Sequence, residues 1–149
     1  MAGVRDRVAV VTGAANGLGR EIAQLLAREG ARVALGDLEA AGLERAAASI
    51  AAAGGTAVAV AGDLTEEEPA ARLIATCVER FGRIDILVNV VGGSRNAKIW
   101  EMKADDWDFV LRLNLRPTFL CTRAAVPHMM RQRYGRIICT SSGAREGTP

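Results

Sequence analysis

"RVAVVTGAANGLGREIA", residues 7–23, joins a short apolar run to an amphipathic one through three glycines. The stretch Arg7–Thr12 is β-rich and nearly continuous in apolar residues, the pattern of a strand covered on both faces. From Gly17 to Glu29 the apolar residues recur at helical spacing. A chain that turns sharply from strand into helix presents the helix N-terminus there, with unpaired N–H groups and a partial positive charge. A diphosphate fits at that point only where the backbone can come close, which calls for residues without a Cβ. Gly13 is placed to make the turn, Gly17 to let the backbone approach a pyrophosphate, and Gly19 to let helix and strand pack closely. A Walker-type phosphate loop is excluded, because no Lys-Ser/Thr follows Gly19.

The same alternation continues along the chain. Further strands are predicted over Ala31–Leu35, Thr56–Ala61, Ile84–Asn89 and Arg136–Thr140. The helical patterns after the first cover Glu39–Ala53, Glu66–Phe81 and Ala104–Arg133. Gly30 can end the first helix in a left-handed turn, and Thr65 with Glu68 makes a capping box for the third. Pro117 should kink or loosen the long fourth helix, since it cannot donate to the carbonyl of Leu113. Short strands alternating with helices imply an α/β fold, a doubly wound parallel sheet with right-handed crossovers. No linker, repeat or low-complexity segment divides the chain, so 1–149 reads as one domain.

Composition narrows the function. At 149 residues the chain can bury about 70% of its unfolded surface. It is 50% hydrophobic and 24% charged with mixed signs, and the net charge of +2 comes from scattered Arg rather than a basic block. Nucleic acid and membrane surfaces are therefore not expected partners. Cys77, Cys121 and Cys139 stand far apart without C-x-x-C or a neighbouring His, which predicts buried, reduced thiols, no metal site and a cytoplasmic protein. The apolar run near the N-terminus is too short for a signal-peptide core, and no segment has the length to span a bilayer.

Three further positions extend the diphosphate site to one for a dinucleotide. Asp37, after the second strand, can accept hydrogen bonds from both ribose hydroxyls of an adenosine. A carboxylate there repels a 2′-phosphate, and no basic residue occupies 14–16, so NAD is favoured over NADP. Asp63 and Asn89 fall at carboxyl ends of strands, where open α/β sheets bind ligands.

The series Thr12, Gly13, Gly17, Gly19, then Asp37, "GDLT" at 62–65, "GRIDILVN" at 82–89, Asn114 in "LRLNLRPTFL", and "GRIICTSS" at 135–142 resembles the short-chain dehydrogenase/reductase family. The resemblance runs from about residue 4 to the end. It implies a Rossmann-type sheet, with about five of the family's seven strands present, and hydride transfer between a nicotinamide cofactor and a small-molecule alcohol or carbonyl. It implies that Gly13, Gly17 and Gly19, with Asn16 and Leu18 between them, cradle the pyrophosphate. Asp37 and Leu38 hold the adenosine side, and Asp63 and Leu64 lie against the adenine. Asn89 and Gly92 match the family's N-N-A-G, but here the chain reads "NVVG", with Val90 where a second Asn is usual. A homo-oligomer, a dimer or tetramer built through the fourth and fifth helices, is implied for a complete parent.

Catalysis in this family uses Asn, Ser, Tyr and Lys. Asn114 matches the first, as part of a water relay, and Ser142 the second, holding the substrate oxygen, while a Tyr with its pKa lowered by Lys passes the proton. The Tyr-x-x-x-Lys is missing: Tyr134, the only tyrosine, precedes the fifth strand, and neither Lys98 nor Lys103 follows a Tyr by four. The chain therefore reads as an N-terminal portion, expected to expose its fifth strand as an apolar edge, to aggregate or depend on absent residues, and to lack activity alone. A non-catalytic dinucleotide sensor is the alternative. On the substrate side, "VGGSRNAK" with "LRPTFLCTRAAVPHM" is reminiscent of cis-diol dehydrogenases. Trp100 is a candidate apolar wall and Arg145 a candidate carboxylate partner. His128 reads as a surface or helix-dipole residue.

Overall fold

The computed structural model describes residues 3–143. The elements are β1 (Val8–Thr12), α1 (Gly17–Arg28), β2 (Arg32–Asp37), α2 (Ala40–Ala52), β3 (Thr56–Ala61), α3 (Glu67–Phe81), β4 (Ile86–Asn89), α4 (Ala104–Gln132) and β5 (Arg136–Cys139). All strand pairs are parallel, in the order β3-β2-β1-β4-β5. This is the expected Rossmann-like α/β sheet.

Why the central strands are apolar without alternation is visible in the packing. Successive side chains of a strand point to opposite faces. Val8 and Val10 enter a core with Leu87, Leu73 and Ile74 of α3, and Leu120 of α4. Ala9 and Val11 enter the other, with Ala23 of α1 and Leu43 and Ile50 of α2. With helices on both faces, every position of β1 is buried. The chain moves outward from β1 through β2 to β3, then crosses to β4 on the other side of β1. Their carboxyl ends diverge at that reversal, and a crevice opens there.

The opposite end of the sheet is tied by a buried carboxylate. Asp85, fully buried, accepts from Val8 N at 3.0 Å and from Arg83 Nε and Nη2 at 2.9 and 2.6 Å. Arg7 reaches the same carboxylate at 3.4 Å and lies over the Tyr134 ring, 4.1 Å from its centroid. Tyr134 is thus at the amino ends of the strands, away from the crevice.

Local expectations fare unevenly. Gly30, at φ 91°, does follow the C-cap of α1, its N–H donating to Ala27 O at 3.0 Å. The capping box is not formed. Thr65 Oγ1 donates instead to Asp63 Oδ1 at 2.8 Å, and the N-cap of α3 is Glu66, without a side-chain cap bond. Asp63 captures the hydroxyl because its carboxylate already accepts Thr65 N at 2.9 Å, closing an Asx turn. Cys77 and Cys121 are buried, and burial pushes both thiols up to about 12. Cys139 is exposed, contrary to expectation, because β5 is an edge strand, with Ile137 39% and Ile138 50% exposed beside it. α4 runs unbroken through Pro117 and Pro127. Pro117 offers no N–H to the Leu113 carbonyl, so the helix lacks one backbone bond beside Asn114.

Candidate functional site

A cleft of about 330 Å³ opens at the carboxyl ends of the strands. Its walls are Gly13 and Asn16 from the β1–α1 turn, Leu18 and Gly19 at the start of α1, Asp37 at the end of β2 with Leu38, Asp63–Thr65 after β3, Val90–Gly92 after β4, and Leu113 of α4. The glycines differ in what they do. Gly13 has φ 66°, and a Cβ on it would meet Val91 N at 3.3 Å. Gly19 has no room at all: a Cβ would lie 2.1 Å from Gly13 O and 3.1 Å from Thr12 O. Gly17, at φ 49°, faces open space, and a Cβ on it would find no atom within 4 Å. The turn is therefore closed by Gly13 and Gly19 and left open at Gly17, a cradle that a side chain would fill.

Electrostatics favours an anion at that opening. The N-cap Asn16 makes no side-chain cap bond, and the first turn of α1 holds no acidic residue. By contrast α3 carries Glu67 and Glu68 in its first turn. The positive end of α1 is thus left uncompensated by its own side chains.

Asp37 is oriented by the backbone. Its Oδ2 accepts from Ala15 N at 3.0 Å and its Oδ1 from Glu39 N at 3.1 Å, which leaves lone pairs on both oxygens. Leu38 is 71% and Leu18 60% exposed, while Leu64 is buried. With Val90, Val91 and Leu113, these three leucines form the nonpolar part of the walls.

Thr12, which the sequence marked only as a motif letter, holds the floor together. Its Oγ1 accepts from Val90 N at 3.0 Å and from Val91 N at 3.4 Å, joining the ends of β1 and β4. Val90, standing where a second Asn was expected, keeps this backbone contact and packs its side chain against the α1–α2 core. Asn89 lies beneath the cleft rather than in its wall. It is 3% exposed, with Nδ2 at 3.5 Å from Thr122 Oγ1 and 3.7 Å from Cys139 Sγ. Its Oδ1 is buried without a hydrogen-bond partner.

Asn114 stands directly behind Gly92. Its Nδ2 donates to Gly93 O and to Val110 O, both at 2.8 Å, and its Oδ1 accepts from Gly93 N at 3.2 Å. A Cβ on Gly92 would come within 2.6 Å of that Oδ1, so glycine there keeps the Asn in place. Ser142 follows β5 on the exposed surface. Trp100 is 75% exposed at the tip of the loop after β4, with Lys98 Nζ 5.5 Å from its ring centroid, and it does not line the cleft. His128 bonds Arg131 at 2.9 Å, and burial with that neighbouring cation lowers its pKa. Arg145 lies outside the described residues. Among the described residues no cluster of His, Cys, Asp or Glu could hold a metal, and no helix is long and apolar enough to cross a membrane.

Residues 7–148 match the family model for short chain dehydrogenases. The chain is 44% identical over 147 residues to a peroxisomal multifunctional enzyme type 2 of Drosophila melanogaster, covering 93% of this chain and 24% of that protein. It is 38% identical to a 3-oxoacyl-[acyl-carrier-protein] reductase of Synechocystis, covering 100% of this chain and 61% of that one. To the (2S)-[(R)-hydroxy(phenyl)methyl]succinyl-CoA dehydrogenase subunit BbsD of Thauera aromatica it is 34% identical, covering 95% and 57%. The chain thus spans between about a quarter and three fifths of these relatives.

Proposed function

The chain belongs to the short-chain dehydrogenase family, and from that premise we propose that its cleft binds NAD, for hydride transfer to or from a small alcohol or carbonyl compound. The observation that carries the reading is the β1–α1 cradle, closed at Gly19, open at Gly17 and facing a helix N-terminus whose first turn holds no acidic residue. The cofactor, when bound, supplies or accepts the hydride. The residues of this chain do the rest. Backbone N–H groups at Gly13–Gly19 bind the diphosphate, the free lone pairs of Asp37 accept from the ribose hydroxyls, and Leu38, Asp63 and Leu64 flank the adenine. The same Asp37 carboxylate disfavours a 2′-phosphate, which selects NAD over NADP.

Asn114 and Ser142 are the proposed catalytic residues, Ser142 holding the substrate oxygen and Asn114 serving the proton relay. The proton donor is not assigned within this chain, because Tyr134 sits at the far end of the sheet. We read residues 1–149 as one dinucleotide-binding domain, inactive in hydride transfer by itself and cytoplasmic, with assembly into a homo-oligomer through α4. Leu115 and Phe119, 63% and 58% exposed on that helix, support the last point. The names of two relatives put acyl thioesters among the substrates to try, beside cis-diols.

Turnover tests this directly. The natural gene product, given NAD and a panel of alcohols of these classes, is expected to form reduced cofactor, and the 149-residue chain is expected to form none. No turnover with any alcohol or carbonyl, in either direction, would contradict the enzyme reading. Turnover by the 149-residue chain would contradict the reading that it is inactive by itself.

A further inference from the structure

β4 is flanked by two backbone segments that lie beyond its ladder, and both are satisfied by side-chain amides of α4. After the strand, Asn114 and the backbone of Gly93 exchange two hydrogen bonds. Before the strand, Gln132 does the same with Ile84: its Oε1 accepts from Ile84 N at 3.1 Å and its Nε2 donates to Ile84 O at 2.7 Å. Gln132 Nε2 also reaches Tyr134 O at 3.4 Å. Ile84 is fully buried, so its backbone groups depend on that amide.

The two pairs match in length. Asn114 to Gln132 is about 27 Å of helix. The nine steps from Ile84 to Gly93, of which Ile86–Asn89 is strand, reach at most about 30 Å. A helix antiparallel to a strand and pinned at both ends cannot slide along it without breaking both rings.

We propose that Gln132 is a positioning residue for Asn114: by fixing α4 on Ile84, it sets the axial register that brings the Asn114 amide against Gly93 and Gly92. Pro117 makes this second pin matter, because it removes one backbone bond from α4 between the two amides. That Asn114 serves catalysis rests on the proposed function, while the register coupling rests on the two rings alone.

Hydrogen exchange followed by NMR on the natural gene product tests it with Gln132→Met, which keeps the side chain's length and removes both bonds. Exchange at Gly93 N–H and at the Asn114 side-chain amide is expected to quicken about tenfold or more, while Val10 in buried β1 changes less than about twofold. No change at Gly93 and Asn114, or the same factor at Val10, would overturn the proposal, the latter showing general destabilisation. Should Gln132→Met not fold, Asn114→Ala gives the reciprocal test, with faster exchange expected at Ile84 N–H and unchanged exchange contradicting the coupling. NAD titration on the same wild-type sample separates the two ideas: absent binding removes the catalytic role of Asn114 and leaves the exchange result to decide the register.

Discussion

Replacing Gly19 with Ala sets two effects against each other. Gly19 lies in the first turn of α1, where helix propensity alone favours Ala by about 1 kcal/mol. The added Cβ, however, would stand 2.1 Å from Gly13 O and 2.7 Å from Gly13 C. Both are backbone atoms of a turn closed on β4, so no flexible side chain can move aside. Reaching an ordinary contact requires the turn and helix to part by more than about 1 Å. Overpacking of this kind costs about 1–3 kcal/mol, and with backbone as the obstacle the upper end applies. The net expectation is a loss of about 2 kcal/mol, or about 4–8 °C in melting temperature for a protein of 150–250 residues. Urea unfolding followed by circular dichroism measures it. Gly17→Ala is the contrast, since nothing lies within 4 Å and only the left-handed backbone is penalised, by about 1–2 kcal/mol. A Gly19→Ala protein as stable as the wild type, or more so, would refute the close strand–helix approach on which the cradle depends.

Asp37→Ala should relax the preference for NAD over NADP, measured as the ratio of the two dissociation constants; an unchanged ratio would take Asp37 out of the ribose site. In the 149-residue chain, a thiol reagent should label Cys139 in the folded state, whereas Cys77 and Cys121, with thiols pushed up to about 12, should react only on unfolding. Equal labelling of all three would contradict the burial. Asp85→Ala leaves Val8 N without its acceptor and Arg83 without its partner. Arg83, 41% exposed, can turn to water, so the cost is that of the orphaned Val8 N–H, about 1–3 kcal/mol in chemical denaturation, and a loss below about 0.5 kcal/mol would show that the buried carboxylate does not hold the strand ends.

Much of the fold was legible because the physics was local and repeated. Runs such as Val8–Val11 are apolar at every position only if both faces are covered, and the two cores show that they are. The β1–α1 turn was legible because Gly13, Gly17 and Gly19 fall directly between an apolar strand run and a helical one, although glycines are common at such junctions. What escaped was set by partners distant in sequence or by neighbours with a competing claim. Thr65 looked like a cap, and only Asp63 two residues before it redirected the hydroxyl. Thr12 clamps Val90 across 78 positions, and Gln132 meets Ile84 across 48. Cys139 looked buried from its apolar neighbours alone, although its strand was expected at an exposed edge, and that place in the sheet decides its exposure.

The most direct measurement is a calorimetric titration of NAD into the natural gene product and its Gly17→Val variant. Saturable binding by the wild type, weakened about a hundredfold or more in a variant that keeps its circular dichroism spectrum, is the expected result, because a side chain at the open position blocks the diphosphate. No binding by the wild type, or equal affinity in the two proteins, would contradict the assignment of the cleft.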